Sequence, residues 1–271
     1  MTNLLKTEWL KLRRYRAFWL IMIVTALSYP GISYILRGIY KNIMERPGDA
    51  SMVLKMILGN PFALPEAWHT LAYASSIVVF IPAVVVIMFI TNEYSFKTHR
   101  QNVIDGWSRN QFMTAKLIDV ALISVIISAL YVIVTLIIGL SEVSPKNVGK
   151  WGYSYYAGLF LLQTFAQLTI AFLIGFLIRK AFIALGVCMF YFLVFEPISV
   201  ALLRKYVDDI GRYLPVEISD RLIPPPAFFA RFDKPAYEKA LSQVSIHILY
   251  TLLLTVFIWW ICFRINKRRD L

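Results

Sequence analysis

The chain has 271 residues, 59% of them hydrophobic and 16% charged, with a mean hydropathy of +0.64. Soluble domains run about 45–50% apolar and about 25% charged, so this composition excludes a water-soluble globular fold and points to a lipid solvent. The net charge of +12 does not signal nucleic acid as a partner, because the cations concentrate beside apolar runs, as the positive-inside rule predicts.

Cys188 and Cys262 both lie in apolar runs, which excludes a disulfide scaffold and a cysteine zinc site. His69, His99 and His247 are scattered without ligand spacing, so no metal site is expected.

In chain order, residues 1–16 put Leu4, Leu5, Trp9, Leu12 and Tyr15 on one side of a helical wheel and Lys6, Arg13 and Arg14 largely on the other. This predicts an amphipathic helix in the membrane surface. The alternative is a basic N-terminus that only sets topology. Six stretches then reach the roughly 20 apolar residues that a crossing needs: Ala17–Leu36, Leu71–Thr91, Ala115–Leu140, Tyr153–Ile178, Ala181–Leu203 and Val244–Phe263. Pro30, Pro82 and Pro197 fall inside three of them, and a kink is expected at each. The fold class is therefore all-α: one polytopic transmembrane domain, residues 1–271, with six transmembrane helices.

Fifteen Lys and Arg residues crowd the short segments assigned to the inner side. The outer loops 37–70, 141–152 and 204–243 hold thirteen, spread over more residues and mixed with ten carboxylates. Cation density predicts a multi-pass membrane protein with both termini cytoplasmic. Loop 204–243 carries Pro224-Pro225-Pro226 and then Ala227-Phe228-Phe229-Ala230. Its apolar patch is read either as a dip back toward the membrane or as an ordinary proline-rich loop.

The inner segment 92–114 is longer than a connector requires. Phe96, Val103 and Trp107 recur at helical spacing as an apolar stripe, Thr98, Gln101 and Asp105 face away, and Gly106 suits a helix stop. A short helix parallel to the membrane fits this pattern, resting on lipid or docking on a cytoplasmic partner.

These residues resemble the loop between the second and third spans of ABC-2-type permeases, the membrane subunits of ATP-driven bacterial exporters. The matching positions are Glu93 at the end of the second span, Thr98, Arg100, the pair Ser108-Arg109, and Lys116. The basic amphipathic entry and the six-span layout match more loosely along the whole chain. Lys97 stands where the family usually has glycine, and Gly106-Trp107 where proline is common, which questions the local turn geometry.

The resemblance implies a permease that forms the translocation path and couples to a separate ATPase subunit. Phe96, Arg100, Val103, Trp107 and Arg109 would form the coupling surface, with Glu93 either bracing it or only pairing with Arg100 or the entry of the third span. ATP and Mg would sit on the partner; this chain has no GxxxxGK[ST] loop and would hold no cofactor itself. A second permease subunit, identical or related, would complete the path.

Ionisable groups within spans are costly and are site hypotheses by default. Glu196, deep in the fifth span and before Pro197, lines the path or is a structural carboxyl bonded to a neighbour such as His247. Lys116 and Asp119 are read as interfacial. Gln163, Gln167, Ala171 and Gly175 recur every fourth residue, a stripe that suits helix packing. No catalytic motif is present, so an enzyme is not expected. An ion-gradient-driven secondary transporter, or a non-transporting partner such as an immunity or sensing subunit, stands as the alternative function.

Overall fold

The computed structural model describes residues 13, 16–44, 60–104, 106–142, 149–207, 209–226 and 234–268, and among these it is helical without a strand. Helix α1 spans Arg16–Met44. Helices α2 (Glu66–Ser76) and α3 (Phe80–Ser95) follow, then the short α4 (Thr98–Ile104) and α5 (Arg109–Ser141). Helix α6 is Tyr156–Ile178. Helix α7 (Ala181–Phe190) continues through a π turn, Tyr191–Phe195, into α8 (Glu196–Tyr206). A 3-10 turn at Asp209–Tyr213, the short α9 (Pro215–Asp220) and α10 (Lys234–Arg268) complete the chain.

Five helical runs are each long and apolar enough to cross a bilayer: α1, α5, α6, the α7–α8 run and α10. The pair α2–α3, bent by 49°, passes the same test together and makes a sixth if it is one broken span. Five of the six expected spans thus have a continuous helical counterpart, with different edges, and the second falls on the bent pair. The first runs on to Met44, into what the sequence assigns to a loop. The amphipathic entry expected over residues 1–16 and the patch at Phe228-Phe229 lie outside the described residues.

The three prolines act differently. Pro82 has no N–H for the carbonyl of Val78 and its ring crowds that group. The chain answers with a tight turn in which Ile81 N donates to Val78 O at 3.0 Å, and the helix breaks between α2 and α3. Pro197 stands four residues after Leu193, and the widened π turn takes up that mismatch without ending the span. Helix α1 continues through Pro30 as one element. In the turns before it Thr25 Oγ1 donates to Ile21 O and Ser28 Oγ to Thr25 O, both at 2.8 Å.

Helix α6 is the axis of the bundle, touching α2, α3, α5, α7, α9 and α10. Its apolar residues surround it on all sides, the pattern of a helix covered by protein. In its most apolar stretch 61% of residues are buried, against 17% in α1 and 22% in the α7–α8 run. Lipid gives no hydrophobic drive between helices, so close packing has to supply the association. Gly175 permits it: a Cβ there would stand 2.6 Å from Ile90 Cγ2 and 3.4 Å from Ile87 Cα of α3.

Candidate functional sites

The ends of the bundle where α1 begins and α10 finishes are called here the near end. The loop between α3 and α5 lies there, and a buried ion pair holds it. Glu93, 3% exposed, accepts from Lys116 Nζ at 2.7 Å, and Lys116 is 0% exposed. Asp119 Oδ2 lies 4.0 Å from the same ammonium, and the rings of Phe89 and Phe112 lie 4.0 and 5.3 Å from it. Lys116 and Asp119, read from the sequence as interfacial, are both covered by protein in the first turns of α5. The carboxylate of Glu93 draws the lysine inward, and the two aromatic rings stabilise it there.

Glu93 also anchors the loop itself. Thr98 Oγ1 donates to its carboxylate, and His99 Nδ1 lies 2.9 Å from its carbonyl oxygen. These bonds tie the end of α3 to the first turn of α4. Lys97 adopts φ 55°, the left-handed conformation that ends α3, where the family favours glycine. Gly106, at φ 93°, follows the end of α4 as the sequence expects.

The structure places the expected coupling residues unequally. Phe96 is 70% exposed, Arg100 is exposed, and Ile104, which the sequence reading passed over, is 77% exposed. Trp107 is half-buried, its backbone N–H bonded to Asn102 O at 3.0 Å. Val103 lies in α4, and its side chain falls outside the described residues. Arg109 is used within the chain: its guanidinium donates to Lys267 O at 2.8 Å, and Asn266 Nδ2 donates to the Arg109 carbonyl at 2.8 Å. These bonds tie the start of α5 to the end of α10. Ser108 caps α5 in a reciprocal box with Gln111, with bonds of 2.8 and 3.2 Å.

A second polar site lies deeper, toward the far end. Glu196 Oε1 accepts the backbone N–H groups of Val216 at 2.6 Å and Glu217 at 2.7 Å. Those are donors that the first turn of α9 leaves unmatched, so Glu196 caps a helix more distant in sequence. It does not meet His247, whose Nδ1 lies 3.2 Å from Ile218 O. The cap fixes α9 between α6 and α10. Asp220, the last residue of α9, accepts on Oδ1 from Gln163 Nε2 at 2.8 Å and Gln167 Nε2 at 2.6 Å. The α6 stripe thus divides its work: Gly175 packs helices, and the two glutamines grip a carboxylate.

At the far end, Arg37 Nε donates to Glu142 at 2.7 Å, Lys41 Nζ lies 3.1 Å from it, and Asn60 donates at 3.0 Å. Partial burial pushes the Glu142 carboxyl up, but these three donors outweigh it and hold the group below its ordinary value. Arg221 reaches Asp209 through two bonds of 2.6 and 2.7 Å and holds that carboxyl down as well.

A bundle of five long apolar helices and one bent apolar pair defines a multi-pass integral membrane protein. The model for the ABC-2 family transporter proteins matches residues 4–195. The chain belongs to the ABC-2 transporter family and is a membrane permease of an ABC-type transporter. The match includes the α3–α5 loop and ends before Glu196, α9 and α10. No curated protein matches the chain.

Proposed function

We propose that this chain is the permease subunit of an ATP-binding-cassette exporter, driven by a separate ATPase that docks on the α3–α5 loop. The observation that carries this reading is the exposure of Phe96, Arg100 and Ile104 along one short anchored loop. Two large apolar side chains and a cation project from a loop whose backbone is fixed by a buried ion pair. Exposed apolar side chains on a polar loop suit a protein partner. Bracing through Glu93 and Lys116 lets force at the loop reach α3 and α5 directly.

In this reading the near end is cytoplasmic, both termini lie inside, and the membrane is the bacterial inner membrane. ATP and Mg act on the partner, and this chain catalyses no reaction. A second permease subunit, identical or related, shares the path. Arg109 and Trp107 support the loop, and Phe96, Arg100 and Ile104 make the contact. Glu196 acts on the path through α9, which it positions.

The test is the amount of ATPase recovered per permease from membranes that express both. Truncation of an interface anchor commonly costs at least ~2 kcal/mol, roughly thirtyfold in affinity. Phe96→Asp should lower recovery by at least tenfold while permease abundance stays near wild type. Unchanged recovery with unchanged nucleotide hydrolysis would remove the loop as a docking element.

A further inference from the structure

The recess beside Asp220 is unlike the rest of the bundle. Its volume is about 230 Å³. Both proline-induced irregularities open onto it: Ser76, Ile77 and Phe80 come from the α2–α3 break, and Phe192 and Leu193 from the π turn. Tyr73, Gln167 and Asp220 supply polar groups to the same space. Asp220 is exposed at this wall, with Oδ1 taken by the two glutamines. Among the described residues no cation pairs with it.

Depth makes this unusual. Gln163 and Gln167 stand seven and eleven residues into α6, which at 1.5 Å per residue is about 10 and 17 Å below its start. The connection between the fifth and sixth spans therefore carries an acid well into the bundle. Such a group is costly in an apolar setting unless something meets its charge.

We infer that the recess is a binding site for a compact organic cation, with Asp220 as its counter-ion and the rings of Tyr73, Phe80 and Phe192 as its apolar and cation–π walls. The chemistry selects the ligand. A carboxylate with one oxygen pinned by amides offers the other to an ammonium. Aromatic faces attract the same charge. A recess smaller than the roughly 300–1,000 Å³ of drug-sized pockets takes a compact molecule. Ile77 and Leu193, each about half exposed, form its rim, so a cation with an apolar body can enter from the side. Two irregular helix segments give walls that yield more easily than regular helix. The site stands on the recess alone and does not depend on an ATPase.

The experiment measures binding of benzyltrimethylammonium to the full-length protein in nanodiscs of phosphatidylglycerol, without nucleotide. Wild type should bind it saturably, and benzenesulfonate, of similar size and opposite charge, should not compete. Asp220→Asn keeps an oxygen for both glutamines and removes the charge, so it should weaken binding at least tenfold with an unchanged melting temperature. Ser76→Leu fills the recess while retaining Asp220 and should also abolish binding, which covers the case in which Asp220→Asn folds poorly. Repeating the titration with phosphatidylethanolamine separates the sources of the cation. A weaker apparent affinity there identifies a lipid amine as a competing ligand of the same site; an unchanged one identifies a free cation. No saturable binding to wild type, wild-type affinity in Ser76→Leu or in a folded Asp220→Asn, or equal competition by benzenesulfonate would overturn the proposal.

Discussion

Two carboxylates within the bundle, Glu93 and Asp220, are met by the chain in opposite ways. Glu93 meets a fully buried ammonium at 2.7 Å and a threonine hydroxyl, and every one of these groups belongs to the chain. Asp220 receives two neutral amides on one oxygen and faces a recess. The contrast separates two uses of buried charge. A charge satisfied internally is a structural joint, here one that fixes a loop to two spans. A charge left to face open space is available to something outside the chain.

The contrast breaks most visibly at the joint. Lys116→Met leaves the Glu93 carboxylate without its cation, and removing one partner of a buried pair costs about 3–5 kcal/mol. Folded yield in detergent should fall steeply, and the double variant Glu93→Leu with Lys116→Met should recover most of it. Size-exclusion profiles of a fluorescent fusion report this. If Lys116→Met alone folds normally, Glu93 is not a joint.

The next effect tests how Asp220 is placed. Glu196→Ala removes the acceptor of two backbone N–H groups of α9, a capping loss of about 0.5–2 kcal/mol. The thermal melting point should drop, and a cysteine at Ser219 should react faster with a thiol reagent. Unaltered reactivity would mean that α9 is held by other contacts.

A smaller effect is expected at the loop. Lys97 occupies a left-handed conformation that costs a side-chain-bearing residue roughly 1–2 kcal/mol. Lys97→Gly relieves it against glycine's own entropic cost of roughly 0.5–1 kcal/mol, so a net gain of some tenths of a kcal/mol is expected as a small rise in melting temperature. The smallest effect is the sharpest for the comparison. Asp220→Asn should cost much less than Lys116→Met, because it keeps an acceptor for both glutamines and leaves no charge without its partner. A loss near that of Lys116→Met would make Asp220 a second joint and erase the distinction.

The spans were legible because lipid demands about twenty apolar residues and leaves little room for ambiguity. The prolines were legible as places of irregularity, but a break at Pro82 and a π turn before Pro197 depend on what packs beside them. Ile104 was missed because the reading carried one helical phase from Phe96 to Trp107. The left-handed residue Lys97 interrupts that helix, and α4 begins afresh at Thr98. The pairing of Glu93 with Lys116 spans 23 residues and crosses the loop; its one trace in the sequence is a lysine within a turn or two of an apolar run, facing a glutamate at the end of another. Asp220 left no local sign, since its depth depends on Glu196 capping a helix twenty residues away.

The central claim is that the α3–α5 loop is where an ATPase engages the permease. Affinity of the purified ATPase for the permease in nanodiscs tests it most directly, compared among wild type, Ile104→Asp and Ile210→Asp. Ile210 is also an exposed isoleucine, but it lies in the 3-10 turn at the far end. The account predicts at least tenfold weaker binding for Ile104→Asp and wild-type binding for Ile210→Asp. Wild-type affinity for Ile104→Asp, or an equal loss in both variants, would contradict it.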